Sequence, residues 1–359
     1  MRIPKIKKMK IEIEKIIKKE DTTASEKSQK ASELRQDIVT GDWVVIATGR
    51  AKRPDEFGKV ERIQDHTTQE DCIFCDPERS GQEKDVLMYL DEQDNWTLRV
   101  FPNKFPSFSQ GRAFAPKENG PYLSMPGVGY HEVIVTRDHY KQIALLDPIR
   151  VAEIFDAYQE RYLELMNKKS VNYISIFHNH GKEVGASVPH PHSQLIAIPV
   201  ISPYVKSELD GAELYYRSNK HCVYCLMAEY ESKEQKRVVF ENDEFVAFCP
   251  FSSRAAFEVW VMPKKHKPYF ERTTAEEKIK LGEVFQKTMS LIYRALNDPP
   301  YNFYIHTSPC DGKDYPHFHW HVEILPHTST WAGFELETGI EISTIQPEVA
   351  AEYLRKQLE

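Results

Sequence analysis

The sequence predicts an α+β protein in which one strand-rich unit, antiparallel and with a single crossover helix, is built twice in tandem. Three observations predict it. A motif recurs: His190-Pro191-His192-Ser193-Gln194-Leu195 opens an apolar strand, and about 130 residues later His319-Trp320-His321-Val322-Glu323-Ile324 does the same. Upstream of each copy lies a Cys-x-x-Cys and then a lone histidine, with 51 positions from His139 to His190 and 53 from His266 to His319. Each half also reads as a run of strands broken by one long helix before the second histidine pair.

The elements follow in order. Residues 1–30 read as an appended, flexible extension, with Ile11, Ile13, Ile16 and Ile17 on a weakly amphipathic helix and a polar linker from Thr22 to Ser28. Residues 31–205 form the first half. Its strands are Trp43–Ala47, Leu98–Val100, Glu132–Thr136, Tyr173–Phe177 and Leu195–Ile198, β-branched or aromatic runs bounded by turn residues. Asp147-Pro148 supplies a cap and an N1 proline for a helix whose apolar face carries Val151, Ile154, Phe155, Tyr158, Tyr162 and Leu165. Residues 206–359 form the second half, dividing from the first near 200–215. Its strands are Phe245–Phe248, Phe257–Met262, Asn302–Ile305 and Trp320–Leu325. A helix starts at Thr274, with Glu277 completing a capping box, and stops at Pro299-Pro300. Glu132-Val133-Ile134-Val135 in the first half matches Glu258-Val259-Trp260-Val261 in the second.

With 359 residues, 41% of them hydrophobic, the chain can bury one large core or two ordinary ones. A net charge of −7 argues against nucleic-acid binding, which needs a basic face. No apolar run approaches the ~18 residues that span a bilayer, and the Lys-rich start lacks the apolar core of a secretory signal. Six cysteines do not make a disulfide scaffold in a chain of this length, and four of them fall in two Cys-x-x-Cys pairs. A cytoplasmic protein without membrane or nucleic-acid partners is expected.

A Cys-x-x-Cys knuckle gives a metal two thiolates from one tight turn, and zinc completes its tetrahedron with histidines. The order of residues predicts two zinc sites: Cys72, Cys75, His139 and His190, then Cys222, Cys225, His266 and His319, where His317 or His321 could stand in for His319. A redox Cys-x-x-Cys wants a strand–helix junction of a βαβ unit, which is missing here, and a zinc ribbon keeps its two pairs within ~20 residues. Four protein ligands close a zinc site, so both are expected to be structural. Cys249 and Cys310 are expected to pack as small apolar residues.

Strand alternation puts His192 on the side of His190 and Gln194. The loop Gly181 to Pro189 could cradle a phosphate with its backbone N–H groups and Ser187. A neutral imidazole beside such a loop is a competent nucleophile. Gln194 offers an amide, which can donate a hydrogen bond to a phosphoryl group without delivering a proton. These residues make His192, Gln194 and Ser187 the candidate catalytic group. The second half has Glu323 in place of the amide and no glycine–serine loop, and is expected to be a scaffold.

His190-Pro191-His192-Ser193-Gln194, preceded by Gly185-Ala186-Ser187, resembles the active-site signature of galactose-1-phosphate uridylyltransferases, the transferase branch of the histidine-triad superfamily. The resemblance runs from Leu34 to the C-terminus. It includes Arg50-Ala51-Lys52-Arg53-Pro54, Cys72/Cys75, Phe101-Pro102-Asn103-Lys104, Asp138-His139, Phe177-His178-Asn179 and His319–Pro326. It implies two histidine-triad-like halves, a homodimer, and a double displacement. In that reaction His192 attacks the α-phosphorus of UDP-glucose, expels glucose 1-phosphate and passes UMP to galactose 1-phosphate. By match, Ser187 and Gln194 bind phosphoryl oxygens. Arg50, Arg53, Asn103, Asn179 and Gly185 help hold the nucleotide, and Phe334 and Glu335 lie in the substrate-binding C-terminal segment. Three departures favour an alternative, the ADP-glucose phosphorylase branch, in which the histidine carries AMP and phosphate is the acceptor. Ser329–Glu335 lacks the lysine of galactose-1-phosphate users, and a later Gln is Glu341 here; the second metal site also has a full Cys-x-x-Cys. A hydrolase reading is disfavoured by Gln194, and a non-catalytic nucleotide-binding zinc scaffold by the intact first motif.

Overall fold

The short β-branched and aromatic runs pair into one ten-stranded antiparallel sheet in the computed structural model, which describes residues 32–47, 54–59, 67–111 and 115–358. Ahead of it, β1 (Glu33–Gln36) and β2 (Trp43–Ile46) form an antiparallel pair. The first half contributes β3 (Leu87–Leu90), β4 (Trp96–Pro102), β7 (Tyr130–Thr136), β8 (Tyr173–His180) and β9 (His192–Ile198). An exposed hairpin of β5 (Lys117–Asn119) and β6 (Tyr122–Ser124) interrupts them, and helix α1 (Pro148–Leu165) crosses from β7 to β8. Two helices follow, α2 (Pro203–Asn219) and α3 (Val223–Glu234). The second half contributes β10 (Val238–Glu241), β11 (Phe245–Phe248), β12 (Val259–Pro263), β13 (Tyr301–His306) and β14 (His321–Pro326), with α4 (Ala275–Leu296) crossing from β12 to β13. The chain closes with α5 (Gly333–Thr338), β15 (Ile342–Ser343), which pairs in parallel with β2, and α6 (Pro347–Arg355).

The strand order is β10-β11-β12-β14-β13-β8-β9-β7-β4-β3. Read inward from each edge, the two halves have the same order. The sequence suggests a sheet for each half; the structure joins them, because β8 and β13, each the inner edge of its own five strands, pair from Tyr301↔His180 to Ile305↔Ile176. Two exposed edges, with their unpaired N–H and C=O groups, are thereby removed.

The residue alternation separates the two faces. On one, Leu98, Val100, Ile134, Leu195, Val259, Val322 and Ile324 pack under α1 and α4 in the main core. Where those helices cross, a Cβ on Gly282 would lie 2.5 Å from the Pro148 carbonyl oxygen, so only glycine allows the approach. The opposite face carries Phe101, Val133 and Val135 in the first half, and Val246, Phe248, Trp260 and Met262 under α2 and α3 in the second.

The expected strands and crossover helices form, with ends moved by a few residues. Helices α2 and α3 are additions to the expected elements, and α2 spans the expected boundary near 200–215. A Ser-Pro signal was present: Ser202 Oγ accepts from the Val205 N–H at 3.3 Å, with Pro203 at N1. The expected tail helix and linker lie outside the described residues.

At the start of α4 the capping box is complete. Thr274 Oγ1 accepts from the Glu277 N–H at 3.3 Å, and the Glu277 carboxylate accepts from the Thr274 N–H at 2.8 Å. Thr274→Ala should therefore cost about 1 kcal/mol in denaturant unfolding; an unchanged midpoint would show that the cap contributes nothing here.

Candidate active site and metal centres

Eight residues named from spacing alone meet in two clusters. In each of Cys72/Cys75/His139/His190 and Cys222/Cys225/His266/His319, the potential ligand atoms all lie within 4.8 Å of one another. In the first, Nδ1 of His139 is 3.2 Å from Cys75 Sγ, and Nδ1 of His190 is 3.4 Å from both sulfurs. A tetrahedral ion with Zn–S of about 2.3 Å and Zn–N of about 2.0 Å needs such edges. The far nitrogens are tied down: Nε2 of His139 donates to the Thr67 carbonyl at 3.0 Å and Nε2 of His190 to that of Thr136 at 2.7 Å. That fixes the tautomer, turns both Nδ1 lone pairs toward the thiols, and is the usual outer support of a metal-ligating histidine. Burial pushes the Cys75 thiol up to about 12 and the His190 imidazole down to about 4, so the His190 ring is neutral and its Nδ1 lone pair is free to ligate. In the second cluster Cys222 caps α3, Cys225 lies in its first turn, and Nε2 of His266 donates to the Pro316 carbonyl at 2.9 Å. His319 takes the ligand position, not His317 or His321. Both clusters fit a metal.

The first cluster abuts the candidate nucleophile. His190 ends the loop and His192 opens β9, whose register places His192 opposite Val135 and Gln194 opposite Val133, on the face away from α1. Phe74, between the two cysteines, packs edge-on against His192 with ring centres 5.1 Å apart. His192 Nδ1 donates to the His190 carbonyl at 2.9 Å. A neutral imidazole protonated at Nδ1 keeps its lone pair on Nε2, and burial favours that neutral form. Among the described residues no hydrogen bond occupies this Nε2.

The loop before His190 departs in part from expectation. The N–H groups of Val184 and Ala186 donate to the Gly181 carbonyl, and that of Gly185 to Lys182, so these three amides are turned inward. Gly185 holds φ +94°, and a Cβ there would stand 3.6 Å from Asn179 Nδ2. Exposed Ser187 remains as a donor at the loop surface. Asn179, on β8, accepts at Oδ1 from Asn302 Nδ2 at 2.8 Å, and the same Asn302 nitrogen reaches the Val184 carbonyl at 3.2 Å. Asn302 comes from the second half across the β8–β13 seam, and nothing in local sequence marks it. Asn103 follows β4 and lies 3.2 Å from His131 Nε2, with its Oδ1 accepting from the Phe105 N–H at 2.8 Å. Arg50 and Arg53 lie outside the described residues. Phe334 and Glu335 sit on α5; Phe334 is exposed and Glu335 caps the helix through the Ala332 N–H at 3.1 Å. Among the described residues no hydrogen bond joins either to the His190–Gln194 segment.

The corresponding place in the second half is filled. His321 Nδ1 donates to the His319 carbonyl at 3.1 Å, as His192 does to His190, but its Nε2 faces Glu323 Oε1 at 3.3 Å and Glu208 of α2 at 3.7 Å. Trp260 stacks on the ring at 4.7 Å. His321 and Glu323 are fully buried, and α2 packs over this face of the second half. Burial alone would lower the His321 pKa, but the two carboxylates raise it to about 10. Glu208, His306, His321 and Glu323 also lie within 4.8 Å of one another, a third set that could hold a metal. Arg254, ion-paired with Glu323, already supplies a cation there. Nothing in local sequence marks Glu208 or His306.

The family described as galactose-1-phosphate uridyl transferase, N-terminal domain, matches residues 21–201, and a domain of unknown function (DUF4921) matches residues 122–359. ADP-glucose phosphorylase of Arabidopsis thaliana is 34% identical over 329 residues, covering 90% of this chain and 92% of that protein. The chain belongs to the galactose-1-phosphate uridylyltransferase family. Galactose-1-phosphate uridylyltransferase of Thermotoga maritima is 30% identical, covering 90% of this chain and 98% of that protein. Among solved structures, the Arabidopsis thaliana ADP-glucose phosphorylase with bound ADP-glucose matches with a TM-score of 0.76 at 33% identity, covering 90% of this chain and 99% of that one. A uridylyltransferase structure matches at 0.70 and 25% identity, covering 91% of this chain and 98% of that one. This member of the family is thus a nucleotidyltransferase enzyme of mixed α+β fold with a large antiparallel sheet. No helix of the described residues is long and apolar enough to cross a membrane.

If the Cys72 cluster holds a metal that fixes the loop, removing it should loosen the protein. A strong chelator or Cys72→Ser should lower Tm sharply, since a structural zinc can contribute about 10 kcal/mol. Metal analysis of the native protein read beside the melting curve checks this; a metal-free preparation that melts unchanged would contradict it.

Proposed function

We propose that this enzyme is an ADP-glucose:phosphate adenylyltransferase, an ADP-glucose phosphorylase, working through an adenylyl group carried on His192. The observation that carries the covalent step is the His192 Nδ1–H bond to the His190 carbonyl, which leaves Nε2 with its lone pair, on the sheet face away from α1. Nε2 attacks the α-phosphorus of the nucleotide sugar. A phosphorus–nitrogen bond forms, the bond to the bridging oxygen breaks, and glucose 1-phosphate leaves with the electron pair. An oxygen of inorganic phosphate then attacks the same phosphorus from the vacated side, the phosphorus–nitrogen bond breaks, and ADP departs. Gln194 and Ser187 donate to the non-bridging phosphoryl oxygens as charge builds on them. Asn103, Asn179, Gly185, Arg50 and Arg53 are assigned to the nucleotide and its phosphates, and Phe334 and Glu335 to the far end of the substrate.

The choice of adenine and phosphate over uridine and galactose 1-phosphate rests on weight of likeness. The Arabidopsis phosphorylase is 34% identical against 24–31% for the uridylyltransferases. The chain also lacks a lysine in Ser329–Glu335. The paired Cys2His2 clusters support two structural zincs per chain, which would clamp the loops before β9 and β14 and take no part in bond making. The matching strand order supports tandem halves, 31–205 and 206–359, with the active site in the first.

ADP-glucose should be turned over repeatedly only when phosphate is present, yielding glucose 1-phosphate and ADP, with a single equivalent per chain released without it, while UDP-glucose with galactose 1-phosphate turns over at least ~100-fold more slowly. Rapid UDP-glucose turnover would favour the uridylyl reading. Gln194→Glu should lower kcat/KM by about 100-fold or more, because it sets a negative charge against the migrating phosphoryl group.

A further inference from the structure

We propose that His131 is a positioning residue that fixes which end of the Gln194 amide faces the reacting phosphoryl group. The proposal rests on the reading of Gln194 as a phosphoryl donor. His131 lies on β7 opposite Ile196, one step along the same sheet face from Gln194, and is buried. The Ser107 backbone N–H points at its Nδ1 at 3.1 Å. A backbone N–H can only donate, so Nδ1 must carry the lone pair, and the one ring proton of the neutral imidazole sits on Nε2. That Nε2 lies 2.8 Å from Gln194 Oε1, and so donates to it. Burial keeps the ring neutral by pushing its pKa below the ordinary histidine value. Asn103 Nδ2 stands 3.2 Å from the same nitrogen, but an Nε2 that donates to Gln194 cannot also accept from Asn103, and the shorter contact prevails.

The consequence is directional. A glutamine amide offers two unlike ends of nearly the same shape, and a half-turn exchanges them. With its oxygen held by His131, Gln194 has only its NH2 group left to present to a phosphoryl group at His192, with which it shares a sheet face. Turned over, it would present a carbonyl oxygen to the phosphoryl oxygens, a repulsion where the transition state needs a donor. His131 touches no substrate in this scheme; it acts through Gln194, and Ser107 acts through His131. The chain Ser107–His131–Gln194 thus makes an ambidextrous side chain one-handed.

Two measurements on the full-length protein test this. Nitrogen-15 NMR of the histidine-labelled chain should find His131 protonated at Nε2 and not at Nδ1; the opposite tautomer overturns the proposal whatever the substrate. The second is the single-turnover rate of adenylyl labelling by ADP-glucose. Gln194→Ala should slow it about 100-fold, the usual loss for one transition-state donor. His131→Leu should slow it about 10-fold or more with KM little changed, and should add nothing further on top of Gln194→Ala. His131→Gln, whose amide nitrogen can reach the same place as Nε2, should recover most of the rate. If Gln194→Ala is harmless, the reading of Gln194 falls and the proposal with it. If Gln194→Ala is slow but His131→Leu is not, if the Leu and Gln variants fall alike, or if the losses multiply in the double variant, the proposal alone fails.

Discussion

One residue, His190, holds the first half of the molecule together at the point where chemistry is expected. Its Nδ1 faces the Cys72 and Cys75 sulfurs, its Nε2 is pinned to the Thr136 carbonyl of β7, and its own carbonyl accepts the Nδ1 proton of His192. Ligand geometry, strand position and nucleophile tautomer are therefore one constraint. A nucleophile must be held within a fraction of an ångström of its productive place, and a metal knuckle behind a strand end does this better than a loop on its own. Acting through the His190 carbonyl, a closed, four-ligand site can bear on the nucleophile without touching substrate.

The second half carries the same framework with the corresponding place filled. The strand order, the Cys2His2 cluster and the imidazole-to-carbonyl bond are all repeated at β14. The difference lies in α2, which brings Glu208 and Tyr204 over the sheet face, and in Glu323, which meets Arg254. A charge that would repel phosphate in an open site becomes half of a buried ion pair. Removing either partner would leave an uncompensated charge in the core, which commonly costs about 3–5 kcal/mol. His321 and Glu323 are thus structural parts in their own right, and not remnants.

Much of this was legible in the sequence, for a physical reason. Metal ligation draws on few residue types at restricted spacings, and the period of a strand fixes which residues share a face; hence both clusters and the His192–Gln194 pair could be named before any fold was known. Asn302, Glu208, His306 and the Ser107–His131 link were not legible, because each depends on which strands become neighbours or on which face a helix lands. The β8–β13 seam that brings Asn302 to Asn179 joins segments more than 100 positions apart. The start of α3 was hidden for a local reason: Cys222 caps it, and cysteine is not among the side chains that ordinarily mark a helix start. The inward-turned amides of the 184–186 segment are not legible either, because glycine content reports conformational freedom and not the direction of N–H groups.

The most direct test of the account is the place and number of the covalent nucleotidyl group. Full-length protein is mixed with ADP-glucose in the absence of phosphate, quenched at alkaline pH, weighed intact and mapped by peptide. One AMP per chain on His192, absent from His192→Asn protein that keeps its metal, is the expected result. Two groups per chain, a group on His321, or no adduct from either ADP-glucose or UDP-glucose would contradict it.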